Sequence, residues 1–113
     1  MATPENILNR LMAVIEDRKS KMPAGSYTTE LLTQGPQKIR KKIIEEAAEL
    51  FEAAIKPDAA GRDSVVRESA DLVYHLLVLL ACRDIRLADL EAELARREGL
   101  SGLDEKEQRS EDY

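Results

Sequence analysis

Residues 65–80 read Val-Val-Arg-Glu-Ser-Ala-Asp-Leu-Val-Tyr-His-Leu-Leu-Val-Leu-Leu, and no other stretch limits the fold as much. Taken at about 100° per residue, the segment is apolar on nearly every face, so its helix has to be central and covered by other elements. Two acids, Glu68 and Asp71, lie within it three residues apart, and therefore on one face. Carboxylates in so apolar a setting are unfavourable unless something cationic offsets them.

Residues 38–52 supply a matching feature. As a helix, they place Lys38, Lys42, Glu45, Glu49 and Glu52 on one polar stripe and gather Ile39, Ile43, Ala47, Leu50 and Ala54 opposite. Glu46 falls at the seam, where a side chain reaches a half-buried cleft. Alone, this is also the pattern of a solvated face, with Glu45, Glu46, Glu49 and Glu52 paired to Lys41, Lys42 and Lys56. Such pairs contribute only about 0.2–0.5 kcal/mol each. The second acid pair shifts the balance. Two antiparallel helices can turn Glu46, Glu49, Glu68 and Asp71 toward one another, and four carboxylates in one cleft repel unless a divalent ion lies between them. Their hard oxygens suit Mg²⁺ or Mn²⁺, and Mg²⁺ commonly completes its shell with water and substrate phosphate.

The remaining chain reads as helices and turns. Thr3 is placed to cap a first helix with Pro4 at its first position, and Ile7, Leu8, Leu11, Met12 and Ile15 form its apolar stripe. This helix is expected to fray over residues 19–22, before Pro23-Ala24-Gly25. Ser26 or Thr28 can cap a short helix carrying Leu31 and Leu32. Gly35-Pro36 ends it and opens the Lys/Glu helix, which Pro57 stops at Lys56. Asp58 or Asp63 caps the central helix, whose first turn holds the unfavourable Gly61 and which runs to about Arg83. A tight connection over 84–86 leads to a last helix with Leu87, Leu90 and Leu94, ended by Gly99. Residues 1–98 thus form one all-α domain, followed by a charged tail, 99–113, that is expected to be mobile. The architecture is an antiparallel helical bundle. Its two long helices carry more apolar surface than two short ones can cover, so a second copy is expected to complete it as a homodimer.

Composition narrows the function. The chain has 113 residues, a net charge of -5 and 4% aromatics, so the core is small and aliphatic and no nucleic-acid partner is expected. The basic residues cluster at 38–42, which suits phosphate handled at one spot. Lys38 and Lys42 are better placed than Arg40 and Lys41 because they share the stripe with Glu45 and Glu49. Cys82 is the only cysteine; it excludes an internal disulfide and a thiolate metal site, and reads as a buried apolar residue. No signal pattern opens the chain, and the longest apolar run, 76–82, is too short for a bilayer, so a cytoplasmic protein away from membranes is expected. His75 shares the face of Glu68 and Asp71; it orients a carboxylate, touches substrate, or is hydrogen-bonded in the core. Tyr74 is assigned to the core. Ser26, Tyr27 and Thr28 form either a binding loop or a cap and turn.

In order, Ser26-Tyr27-Thr28 with Leu31-Leu32, Lys38-Ile39, Lys42-Ile43-Ile44-Glu45-Glu46-Ala47-Ala48-Glu49 and the run 68–80 resemble the phosphoribosyl-ATP pyrophosphatases of histidine biosynthesis, over roughly residues 7–97. The EExxE and ExxD patterns alone mark the wider superfamily of all-α nucleotide pyrophosphohydrolases; the Ser-Tyr-Thr loop and the Ala-Asp-Leu-Val-Tyr-His run narrow it. The resemblance implies a bundle dimer that hydrolyses phosphoribosyl-ATP between its α and β phosphates with Mg²⁺, giving phosphoribosyl-AMP and pyrophosphate. It implies Glu46, Glu49, Glu68 and Asp71 as metal ligands, and Glu45 as a further acid that positions the water; on mechanistic grounds a carboxylate, with Glu45 as the candidate, is expected to take the water's proton. It also implies Lys38 and Lys42 on the phosphates and Ser26, Tyr27 and Thr28 near the nucleotide; His75 is counted among the candidate substrate contacts from its place on the face of Glu68 and Asp71. Ile44 stands where a Gly is usual and is expected to tighten packing at the mouth of the site. Asp84 replaces another usual Gly, so the turn after the central helix must be made differently. Many relatives are fused to the cyclohydrolase of the next step; here a separate protein is expected in that role. Two other functions fit the residues: a house-cleaning pyrophosphohydrolase of other nucleoside triphosphates, and a non-enzymatic helical dimerisation module.

Overall fold

The computed structural model describes residues 6–100 and 102–112. Among them are six helices and no strand: α1 Ile7–Lys21, α2 Tyr27–Gln34, α3 Pro36–Ala54, α4 Ala59–Cys82, α5 Leu87–Arg97 and α6 Gly102–Asp112. Side-chain caps set three of the starts. The Asn6 side chain accepts from the Asn9 amide, Ser26 Oγ from the Thr29 amide and Asp58 Oδ1 from the Gly61 amide, each satisfying an otherwise orphaned donor. The Thr3 cap and Pro4 lie outside the described residues. Pro36 occupies the first turn of α3, after Gly35 at a φ of 84°.

Two turns explain where α3 and α4 begin and end. α3 stops at Ala54, short of the Lys56 expected from Pro57, because the chain already folds back through Lys56 N–H to the Ala53 carbonyl. Gly61 is buried in the first turn of α4, and a Cβ there would lie 2.4 Å from the Lys56 carbonyl oxygen. Glycine is therefore required for this close approach. At the other end, Ile85 N–H donates to the Leu80 carbonyl at 2.8 Å and Asp84 N–H to the Ala81 carbonyl at 3.1 Å, the Schellman arrangement. Asp84 adopts the left-handed φ of 58°. The turn thus keeps a glycine-like conformation, which aspartate tolerates better than most residues. Lys19 holds it from α1, pairing with the Asp84 carboxylate and donating to the Ala81 carbonyl.

The core joins Met12 and Ile15 of α1, Leu31 of α2, Ile39 of α3, Leu77, Val78 and Ala81 of α4, and Leu87 at the start of α5. α4 packs against α1, α2 and α3, and most extensively against α3, which makes it the central helix. The face that α3 turns to α4 differs from the expected one. Its buried residues are Ile39, Glu46 and Ala53, seven apart, whereas Ala47 and Ala54 are exposed. Glu46 is only 8% exposed and lies on the packed face itself, not at its edge. The reason is that α3 has two apolar faces. The second carries Ile44 and Phe51 and is continued by Ile55 at the C-cap, all exposed, and it pulls the apparent apolar centre of the sequence away from the true contact line. Ile44 is 55% exposed, so within the chain it does not tighten the mouth of the site. In the tail, where no helix was expected, residues Gly102–Asp112 form α6, with Leu103 exposed.

Candidate active site

The α3–α4 pairing brings Glu46 opposite Glu68 and Asp71. One carboxylate oxygen of each lies within 4.8 Å of the others. Glu46 is buried, Glu68 half-buried and Asp71 exposed, so the cluster opens outward at Asp71. Oε2 of Glu46 and Oε2 of Glu68 are buried without a hydrogen-bond partner. Orphaned carboxylate oxygens are strongly disfavoured, and a cation between the helices is the simplest way to satisfy both. Three hard oxygen donors from two rigid helices fit Mg²⁺ or Mn²⁺.

Glu49 lies beside this trio rather than within it. Its carboxyl rests against Glu68, and its pKa is raised first by hydrogen bonding to Glu68, then by that group's charge, with Glu45 adding to the repulsion. All four acids of the two patterns therefore belong to one electrostatic unit. Glu45 faces the rim: Lys42 Nζ lies 3.4 Å from its Oε2. That hydrogen bond, followed by the neighbouring Tyr27, raises the pKa of Lys42, and Glu46 adds to the effect. Lys38 is half-buried one turn earlier on α3, and among the described residues no hydrogen bond or ion pair joins its side chain to the acids.

His75 is 4% exposed and bridges the acids to α2. Its Nδ1–H donates to the Asp71 carbonyl at 2.8 Å, since a carbonyl can only accept. In the neutral ring this leaves Nε2 to accept from the Tyr27 hydroxyl at 2.9 Å. Nδ1 also lies 4.0 Å from Glu46 Oε1. The Thr28 hydroxyl is hydrogen-bonded to that of Tyr74, and the Tyr27 and Tyr74 rings stack with centroids 6.3 Å apart. Ser26 is spent on capping α2. The three hydroxyls of the Ser-Tyr-Thr turn are thus all engaged by the fold, and the half-exposed Tyr27 ring is the part presented outward. Sequence reasoning assigned Tyr74 to the core and so missed its bond. The signal was present: a phenol in a nearly apolar helix needs a hydrogen-bond partner.

Residues 8–98 match the family described as phosphoribosyl-ATP pyrophosphohydrolase. A protein of Rhodopirellula baltica named phosphoribosyl-ATP pyrophosphatase is 52% identical over 94% of this chain and 90% of its own. Proteins of the same name from a Jannaschia species and from Dinoroseobacter shibae are 50% and 48% identical, over 90% and 92% of this chain and 97% and 99% of theirs. With the paired acids on facing helices and relatives this close along nearly their whole length, the chain belongs to the phosphoribosyl-ATP pyrophosphohydrolase family.

Proposed function

We propose that the chain hydrolyses phosphoribosyl-ATP to phosphoribosyl-AMP and pyrophosphate in the second step of histidine biosynthesis, in the cytoplasm, with Mg²⁺ as cofactor and Mn²⁺ as a substitute. The observation that carries the reading is the convergence of Glu46, Glu68 and Asp71, two of them with an unpartnered buried oxygen. Among the described residues, no helix is long and apolar enough to cross a membrane.

Glu46, Glu68 and Asp71 would hold the divalent ion, with Glu49 as a fourth acid beside Glu68. When bound, the ion supplies a more acidic water and neutralises phosphate oxygens. The chain's own groups do the rest. Lys42, at the rim between Tyr27 and Glu45, is placed to offset charge that builds on the departing pyrophosphate, with Lys38 one turn away in the same role. Glu45 is the proposed acceptor of the water's proton. Tyr27 offers its ring to the nucleotide; His75 bonds its hydroxyl, Thr28 bonds the Tyr74 behind it, and Ser26 caps the helix that carries it, so these three serve by positioning rather than by binding substrate.

The second apolar face also needs a cover. Ile44 and Phe51 of α3, Ile55 just after it, and Val66, Val73 and Leu76 of α4 are all exposed, with Phe51 at 68%. Exposed apolar rows of this kind suit an interaction surface, and a second copy of the chain is the proposed occupant. The test of the function is pyrophosphate release from phosphoribosyl-ATP, with and without Mg²⁺, beside dUTP and dCTP. The first substrate with Mg²⁺ is expected to dominate; equal or faster release from dUTP or dCTP would contradict the assignment.

A further inference from the structure

α2 spans only Tyr27–Gln34, a length at which a helix does not hold its shape or orientation unaided. Leu31, 1% exposed, pins it to the core. Two side-chain hydrogen bonds then tie its first turn to α4, and they involve neighbouring residues on both helices: Tyr27 with His75, and Thr28 with Tyr74. Neighbouring residues on a helix point about 100° apart. Rolling or sliding α2 over α4 therefore cannot preserve both bonds, and the pair fixes its register. His75 is locked by its bond to the Asp71 carbonyl. The bond that does not pass through His75 is the one Tyr74 makes. Tyr74 also backs the Tyr27 ring, stacked at 6.3 Å and 21°, and meets the His75 ring edge-on at 5.3 Å. Tyr27 itself lies in the field of Lys42 and Glu46, at the rim of the acid cluster.

We propose that Tyr74 is a positioning residue for substrate: its hydroxyl holds Thr28 and its ring backs Tyr27, so that the outer face of Tyr27 is presented beside Lys42 and the acids. The proposal deepens the phosphoribosyl-ATP reading and rests on it. Tyr74→Phe keeps the ring and its stacking and removes only the hydroxyl; Thr28→Val removes the other partner at similar volume. In each variant the KM for phosphoribosyl-ATP is expected to rise about five-fold, the scale of one lost hydrogen bond, with kcat within about two-fold of wild type. Combining the two should add nothing further, since both break one bond. Thr28→Ser, which keeps the hydroxyl, should restore KM, and the rise in melting temperature on adding Mg²⁺ should be unchanged throughout. Hydrogen exchange of the α2 amides, read without substrate, should be faster in Tyr74→Phe. An unchanged KM in Tyr74→Phe and Thr28→Val overturns the proposal even if stability falls, and so do multiplicative effects in the double variant. If wild-type protein releases no pyrophosphate from phosphoribosyl-ATP, the functional reading fails instead. Exchange then decides the clamp: unchanged α2 protection in Tyr74→Phe overturns it, and lost protection supports it.

Discussion

The imidazole of His75 donates through Nδ1 to the main-chain carbonyl of Asp71 at 2.8 Å, so the residue that opens the acid cluster to solvent is held by the ring that also receives Tyr27. Replacing His75 by Ala leaves the Tyr27 hydroxyl and the Asp71 carbonyl without their shared partner and opens a cavity at a 4% exposed site. The expected loss is about 3 kcal/mol of folding stability, read from urea denaturation.

Glu49 is expected to weaken the metal-free protein. Its raised pKa means that folding disfavours the ionised form, a cost present above the folded pKa and relieved by removing the charge. Glu49→Gln should therefore raise the melting temperature of the metal-free protein at neutral pH, while turnover falls about a hundred-fold or more. Calorimetry without and with Mg²⁺ checks the first half, and a pyrophosphate assay the second.

On α5, Arg96 and then Arg97 hydrogen-bond Glu93 and hold its carboxyl down at about 2, below its ordinary 4.5. A depressed carboxylate stabilises the fold above its unfolded pKa, and that contribution is lost as pH falls through the folded value. The melting-temperature gap between wild type and Glu93→Gln should thus be constant from neutral pH down to about 5, then shrink toward zero near about 2. A gap that grows on acidification would contradict the assignment.

Gly61 is where α4 meets the Lys56 carbonyl, with 2.4 Å to an added Cβ. Gly61→Ala should destabilise the fold by about 2 kcal/mol despite alanine's higher helix propensity, because backbone has to move. Urea denaturation of the two proteins decides the sign.

The sequence revealed what is local. Ser26 and Asp58, each one of two expected cap candidates, Pro36 in the first turn and the end of α4 near Arg83 all follow from backbone chemistry within a few residues. Helical period also brought Glu68 and Asp71 to one face and Glu46 opposite them. The rotation of α3 was not legible, because a helix with apolar residues on two faces has no single apolar centre, and small alanines at 47 and 54 count toward burial they do not have. The Thr28–Tyr74 bond was hidden for another reason: it joins residues far apart in the chain, and nothing in a single sequence pairs them.

The exposed row of Ile44, Phe51 and Ile55 gives the proposed dimer a simple check. Phe51→Glu should shift the mass measured by light scattering from two chains to one without loss of helical circular dichroism. A wild-type protein that is monomeric at assay concentrations would rule the second copy out.

The most direct measurement is pyrophosphate release from phosphoribosyl-ATP by wild type and by Asp71→Asn, at matched helical circular dichroism, with Mg²⁺ and after chelation. The account predicts release by wild type with Mg²⁺ alone, and none by the variant. Release that survives both chelation and the loss of the Asp71 carboxylate would contradict it.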